Sequence, residues 1–144
     1  MKTIAALSMF LLLISAQACT KDSNPKGPIP NVQTGVVNKS ADYEPKEFNK
    51  HLKDAGILII DVRTPAEFES GYIEGAMNIN WYDKTFAQDV NKLDKSKPVY
   101  IYCAVGGRSS QAKELLLKSG FVEVHNLIGG MGAWKETGLS IKKK

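Results

Sequence analysis

Val99-Tyr100-Ile101-Tyr102 runs directly into Cys103-Ala104-Val105-Gly106-Gly107-Arg108-Ser109, and this stretch decides the fold. Four consecutive apolar residues read as a strand covered on both faces, as in the interior of a parallel sheet. After the glycine pair the period changes. Ala112, Leu115 and Leu116 fall on one face of a helix, and Gly120 is placed to end it. Strand, tight loop and amphipathic helix in succession predict a chain that crosses over and returns parallel to itself.

The same alternation extends outward in both directions. Ile57-Leu58-Ile59-Ile60 reads as a second buried strand, and weaker ones are expected near Val36–Val37, Met77–Ile79 and Val122–Asn126. Between them Phe48, Leu52 and Ala55, and again Phe86, Val90 and Leu93, recur at helical spacing. Thr64-Pro65-Ala66-Glu67 is a well-specified helix start, with Thr64 as N-cap, Pro65 at the first helical position and Glu67 closing a capping box. It follows Asp61 so closely that Asp61 and Arg63 are expected at the carboxyl end of a central strand, where open parallel sheets bind ligands. The fold class is α/β, a mainly parallel sheet with helical crossovers and no internal repeat.

The chain has 144 residues, 43% of them apolar, enough for one compact domain and too few for two. Its formal net charge of +4 is accounted for by Lys2 and the terminal Lys142-Lys143-Lys144, so the body is formally neutral. That excludes a basic face and argues against nucleic acid as a partner. Ile4 to Ile14 is an apolar run too short for a permanent membrane helix, and Ala16-Gln17-Ala18 supplies a small-x-small cleavage pattern. Residues 1–18 therefore read as a signal peptide. Cys19 then stands where bacterial lipoproteins carry their acylated cysteine, although Ala16 occupies a position that usually holds Leu. Residues 19–33 are polar, carry Pro25, Gly27, Pro28 and Pro30, and read as a solvated tether ahead of a domain at 34–144. The expected location is the cell envelope, as a membrane-anchored lipoprotein facing the periplasm or exterior. Soluble export with a free Cys19 is the alternative.

With Cys19 acylated, Cys103 is the remaining thiol. Gly106 and Gly107 let the loop amides converge on one point, and the helix N-terminus adds partial positive charge there. A cysteine so placed has a lowered pKa and a usable thiolate fraction. Asp61, Arg63, Ala104, Val105, Arg108 and Ser109 complete the candidate site. Arg108 is expected to pin the loop through backbone carbonyls and a carboxylate such as Asp61, or to orient an anionic substrate. Asp61 is expected to fix the loops, and Arg63 to be a solvated charge or a rim contact. His51 reads as a surface residue. His125 sits nearer the ligand edge, but nothing supplies the third group that a Cys103–His125 hydrolase needs. Two histidines and one thiol show no metal-ligand spacing. Trp81, Tyr82 and Met131 either line the pocket or pack.

In order and spacing, Asp61-Val62-Arg63-Thr64-Pro65-Ala66-Glu67-Phe68, Gly71 to Ile79, the Cys103–Ser109 loop and Gly129-Gly130-Met131-Gly132-Ala133-Trp134 resemble the rhodanese domain of sulfurtransferases, over roughly Val36 to Ile141. Tyr72, Glu74 and Ser140 depart from that pattern, where His, Pro and Pro are usual. The resemblance implies a five-stranded parallel sheet with helices on both faces. It also implies that Cys103 accepts sulfane sulfur from thiosulfate, a polysulfide or a persulfide as a Cys103 persulfide, and that a thiol, a protein thiol or cyanide takes the sulfur on. Such two-step covalent chemistry needs no metal and no organic cofactor. A non-enzymatic anchored binding module and a phosphatase or arsenate reductase on the same scaffold are the alternatives. The spacing C-x4-R is one residue shorter than the C-x5-R loops that surround a tetrahedral oxyanion. Ala104 and Val105 bring no side-chain cation, so a dianion would be held by backbone dipoles, with Arg63 the candidate helper from the rim.

Overall fold

The structure is a computed structural model and describes residues 38–143. The expected signal peptide, Cys19, the 19–33 tether and the strand near Val36–Val37 lie outside the described residues. Five strands, β1 (Lys39–Tyr43), β2 (Leu58–Asp61), β3 (Met77–Asn78), β4 (Val99–Tyr102) and β5 (Glu123–Leu127), form one sheet in the order β1-β5-β4-β2-β3. Every pairing within it is parallel. The helices between them are α1 (Pro45–His51), α2 (Pro65–Glu69), α3 (Phe86–Asn91), α4 (Gly107–Lys118) and α5 (Gly130–Glu136).

β4 lies at the centre of the sheet and every residue of it is buried, as its unbroken apolar run requires. Successive side chains go to opposite faces. Ile60, Val62, Val99, Ile101, Cys103 and Val124 enter one cluster with Phe86, Val90, Ala112, Leu116 and Phe121. Ile59, Tyr100, Tyr102 and Leu127 enter the other with Phe48, Ile73, Met131 and Trp134. So α3 and α4 cover one face while α1 and α5 cover the other. Each fully buried aliphatic or aromatic side chain in these clusters contributes about 1.5–3 kcal/mol.

Two helical stripes are shorter than the sequence suggests. α1 ends at His51, leaving Leu52 half-buried at the cap and Ala55 exposed in the following turn. α3 ends at Asn91, so Leu93 packs from a turn. Both helices span fewer than eight residues, so the third position of each stripe falls beyond them. β1 is an exposed edge strand of sequence KSADY, without apolar alternation, and it is held by its register with β5. Tyr72, on the turn after α2, pairs with Lys142 in an antiparallel bridge, stacks on Phe68 and thereby ties down the C-terminal segment. Ser140 contributes only its carbonyl, which accepts from the Trp134 indole at 3.0 Å.

Candidate active site

The carboxyl ends of β2, β4 and β5 lie side by side, and the site is built on them. Cys103 follows β4 and is only 1% exposed. From it the chain turns through Ala104, Val105 and Gly106 into α4, and Gly106 has φ of +99°, a conformation that glycine accepts and side-chain-bearing residues resist. That turn aims the Gly106 N–H at Cys103 Sγ, 3.1 Å away, while the Ser109 hydroxyl donates to the same sulfur at 3.5 Å. Burial pushes the Cys103 thiol up, but hydrogen bonds from the Ser109 hydroxyl and from the Ser109, Val105 and Gly106 amides outweigh it and hold the pKa below the ordinary value. The N-terminus of the 12-residue α4 adds its dipole in the same sense.

The loop is supported from below. Met131 N–H donates to the Cys103 carbonyl at 2.8 Å, and Gly132 N–H donates to the Ala104 carbonyl at 3.0 Å. A Cβ at Gly130 would clash with the Cys103 carbonyl oxygen and with Ala104, and Gly130 also has positive φ. Gly130 thus gives α5 its close approach to the loop, a role invisible in the sequence, which shows the glycine but not what it touches.

Two arginines are placed differently from expectation. Arg63 is neither a solvated charge nor a rim contact: it is 3% exposed, its Nε and Nη2 grip Asp61 at 2.6–3.0 Å, and Nη2 also reaches the Gly71 carbonyl at 2.8 Å. Asp61 accepts from the Arg63 backbone as well, at 2.9 Å. The carboxylate that Arg108 pins is Glu67 and not Asp61. Its two terminal nitrogens take the two Glu67 oxygens at 2.9 and 2.7 Å. Asp61 is consumed by its own neighbour, whereas Glu67 stands one helical turn into α2, facing the loop. There it closes the expected capping box with Thr64. The Arg108 guanidinium holds the Glu67 carboxyl down to about 2. Glu67 enters the sequence reading only as a capping residue, and its second partner lies 41 residues away.

Val105 is 77% exposed at the loop tip. Beside it runs a groove of about 430 Å³ lined by Asp42, Gly106, Gly107, Ser110, Asn126 and Ile128. Tyr82 is exposed, and the Arg108 guanidinium lies 5.4 Å from its ring centre. Trp81 packs on Phe86 and borders a separate groove along α4, and Met131 is core. His125 is 1% exposed, bonded to Glu123 at 2.7 Å and packed against Tyr43 and Tyr100, so it takes no part in the Cys103 loop. His51 is half-buried, stacked on Tyr43. Among the described residues no group of three His, Cys, Asp or Glu side chains could hold a metal ion. What the arrangement offers chemically is a thiolate nucleophile inside a ring of amide donors, able to hold negative charge on Sγ or on an atom bonded to it.

Residues 44–137 match the family described as Rhodanese-like domain. The Bacillus subtilis protein YqhL is 45% identical over 76 residues, covering 53% of this chain and 59% of that protein, so the chain spans less than two thirds of that relative. A thiosulfate sulfurtransferase of Shewanella oneidensis is 34% identical over 80 residues, covering 56% of this chain and 77% of that enzyme. The crystal structure of a rhodanese-related protein from Thermoplasma volcanium superposes with a TM-score of 0.65 at 25% identity, covering 72% of this chain and 99% of that one.

Proposed function

This chain belongs to the rhodanese-like domain family, and from that premise we propose that it is a sulfurtransferase whose nucleophile is Cys103. The thiolate attacks the outer sulfur of thiosulfate or of a polysulfide or persulfide, the donor's S–S bond breaks with its electron pair on the leaving group, and sulfur remains as a Cys103 persulfide. An acceptor thiol or cyanide then takes that sulfur. The observation that carries the reading is the Gly106 N–H directed at Sγ from 3.1 Å within a ring of loop amides, since such donors stabilise the thiolate and the persulfide alike. By analogy with acyl-transfer sites, each well-placed donor contributes about 2.7–4 kcal/mol to lowering the barrier.

Asp61 and Arg63 act as the buried strut beneath the loop, Arg108 with Glu67 fixes its far end, and Ala104, Val105, Gly106, Gly107 and Ser109 form the cradle. The protein is further proposed to reside in the cell envelope, anchored through acylated Cys19. The test of activity is intact-protein mass spectrometry after mixing with a sulfane-sulfur donor. One added sulfur atom located on Cys103 and absent from Cys103→Ser supports the reading. Turnover that survives Cys103→Ser overturns it, as does a protein that takes up no sulfur from any donor.

A further inference from the structure

A sulfur donor brings negative charge to a thiolate that already carries one, so what matters is which side-chain cations near Cys103 are free to meet it. The chain has two arginines. Arg63 is buried and held through Nε and Nη2 by Asp61 and the Gly71 carbonyl. Arg108 follows Cys103 by five residues, in the first turn of α4, but each of its terminal nitrogens is paired with an oxygen of Glu67, which Thr64 N–H and hydroxyl hold from behind at 3.0 and 2.8 Å. Lys113, beside the groove, is committed to Asp42 at 2.8–2.9 Å. Val105 and Ile128 stand exposed on the groove beside the loop, next to the polar Asp42, Ser110 and Asn126, and Tyr82 is exposed beside Arg108. Backbone dipoles remain to hold one negative charge.

Resting on the sulfur-transfer reading, we infer that Glu67 sets the donor class: by clamping Arg108 it makes the site select monoanionic sulfane-sulfur donors with an apolar substituent over the thiosulfate dianion. Glu67 acts through Arg108 and is a positioning residue. With an organic thiosulfonate, R–SO2–S−, the Cys103 thiolate bonds to the terminal sulfur while the donor's S–S bond breaks. The electron pair leaves on the sulfinate R–SO2−, and the persulfide keeps one negative charge. No oxidant or reductant enters, and the apolar R group is left toward the exposed Val105 and Ile128 of the groove.

The experiment compares benzenethiosulfonate with thiosulfate as donors for the wild type and for Glu67→Gln, which keeps a side chain able to complete the capping box. In the wild type benzenethiosulfonate should have a kcat/KM at least about tenfold higher, the scale set by one hydrogen bond to a charged group. Glu67→Gln should lower KM for thiosulfate with little change in kcat and shrink that ratio. The double variant Glu67→Gln/Arg108→Gln, with both charges removed, should restore the apolar preference. A wild type that prefers thiosulfate overturns the inference, as does a Glu67→Gln ratio equal to the wild-type one. Should Glu67→Gln fail to fold, the wild-type ratio and the double variant still decide. Failure of the underlying reading looks different, because then neither donor leaves sulfur on Cys103.

Discussion

A cysteine at a strand end, packed among Ile60, Ile101 and Leu116, would ordinarily be an inert apolar residue, and Ser109 and the loop amides are what set Cys103 apart. Because their hydrogen bonds hold its pKa below the ordinary value against the opposing effect of burial, the thiolate persists to lower pH than a free cysteine's would. Ser109→Ala removes the one side-chain donor to the sulfur among the described residues, so the midpoint of the alkylation rate against pH should move upward, with activity at neutral pH falling and recovering as pH rises. An unchanged midpoint would show that the amides alone tune the sulfur. Asp61 makes a different kind of demand, since both it and Arg63 are buried. Asp61→Ala strands a buried guanidinium and should cost about 3–5 kcal/mol, read as a lower midpoint in urea unfolding. The pairing of Arg108 with Glu67 and of Arg63 with Asp61 was illegible in the sequence because Asp61 and Glu67 both lie within four residues of Arg63, whereas Arg108 lies 41 residues beyond Glu67, and only tertiary packing decides which carboxylate it meets.

At the scale of elements, legibility followed burial. β2 and β4 announce themselves because a strand covered on both faces is apolar throughout, and α4 because its 12 residues allow a full stripe and a glycine stop. The start of α2 was legible to the residue, since a capping box is a local chemical pattern. β1 carries no such mark: its order comes from β5, a partner some eighty residues away. The support that α5 gives the loop is likewise a tertiary fact. It also carries an expectation, because Gly130 combines positive φ with contact against the Cys103 carbonyl. Gly130→Ala should cost at least about 1–2 kcal/mol from backbone strain alone and should push the loop off its geometry. Activity should therefore fall by more than the loss of Tm explains, whereas Gly138→Ala, with equally positive φ and nothing within 4 Å of the added Cβ, should cost stability alone. Equal activities in the two variants, at matched folded fractions, would remove α5 from the account of the loop.

For the molecule as a whole, acid stability and location are linked to the same two features, the Glu67–Arg108 clamp and the two cysteines. Glu67 has a folded pKa of about 2 against an ordinary 4.5. A depressed carboxylate contributes stability that is fully present above the ordinary value and lost as pH falls toward the folded one. The stability gap between wild type and Glu67→Gln should therefore be constant near neutrality and close between about pH 4.5 and 2, and a gap that stays open at pH 2 would assign it to packing. The proposed envelope location turns on Cys19. Among the described residues no helix is long and apolar enough to cross a membrane. The proposed attachment is through acylation, and one acyl chain binds only marginally, so several are needed for stable anchoring. The chain contains two cysteines, and Cys103 is buried beneath its loop at 1% exposure, a poor substrate for any acylating enzyme. Labelled fatty acid fed to a bacterial host expressing the full chain should therefore enter the protein through Cys19, pellet it with membranes, and be lost in Cys19→Ser while sulfur uptake at Cys103 continues. Label that persists in Cys19→Ser, or a wild-type protein recovered unlabelled in the soluble fraction, would overturn the anchor and leave the chemistry of Cys103 as it stands.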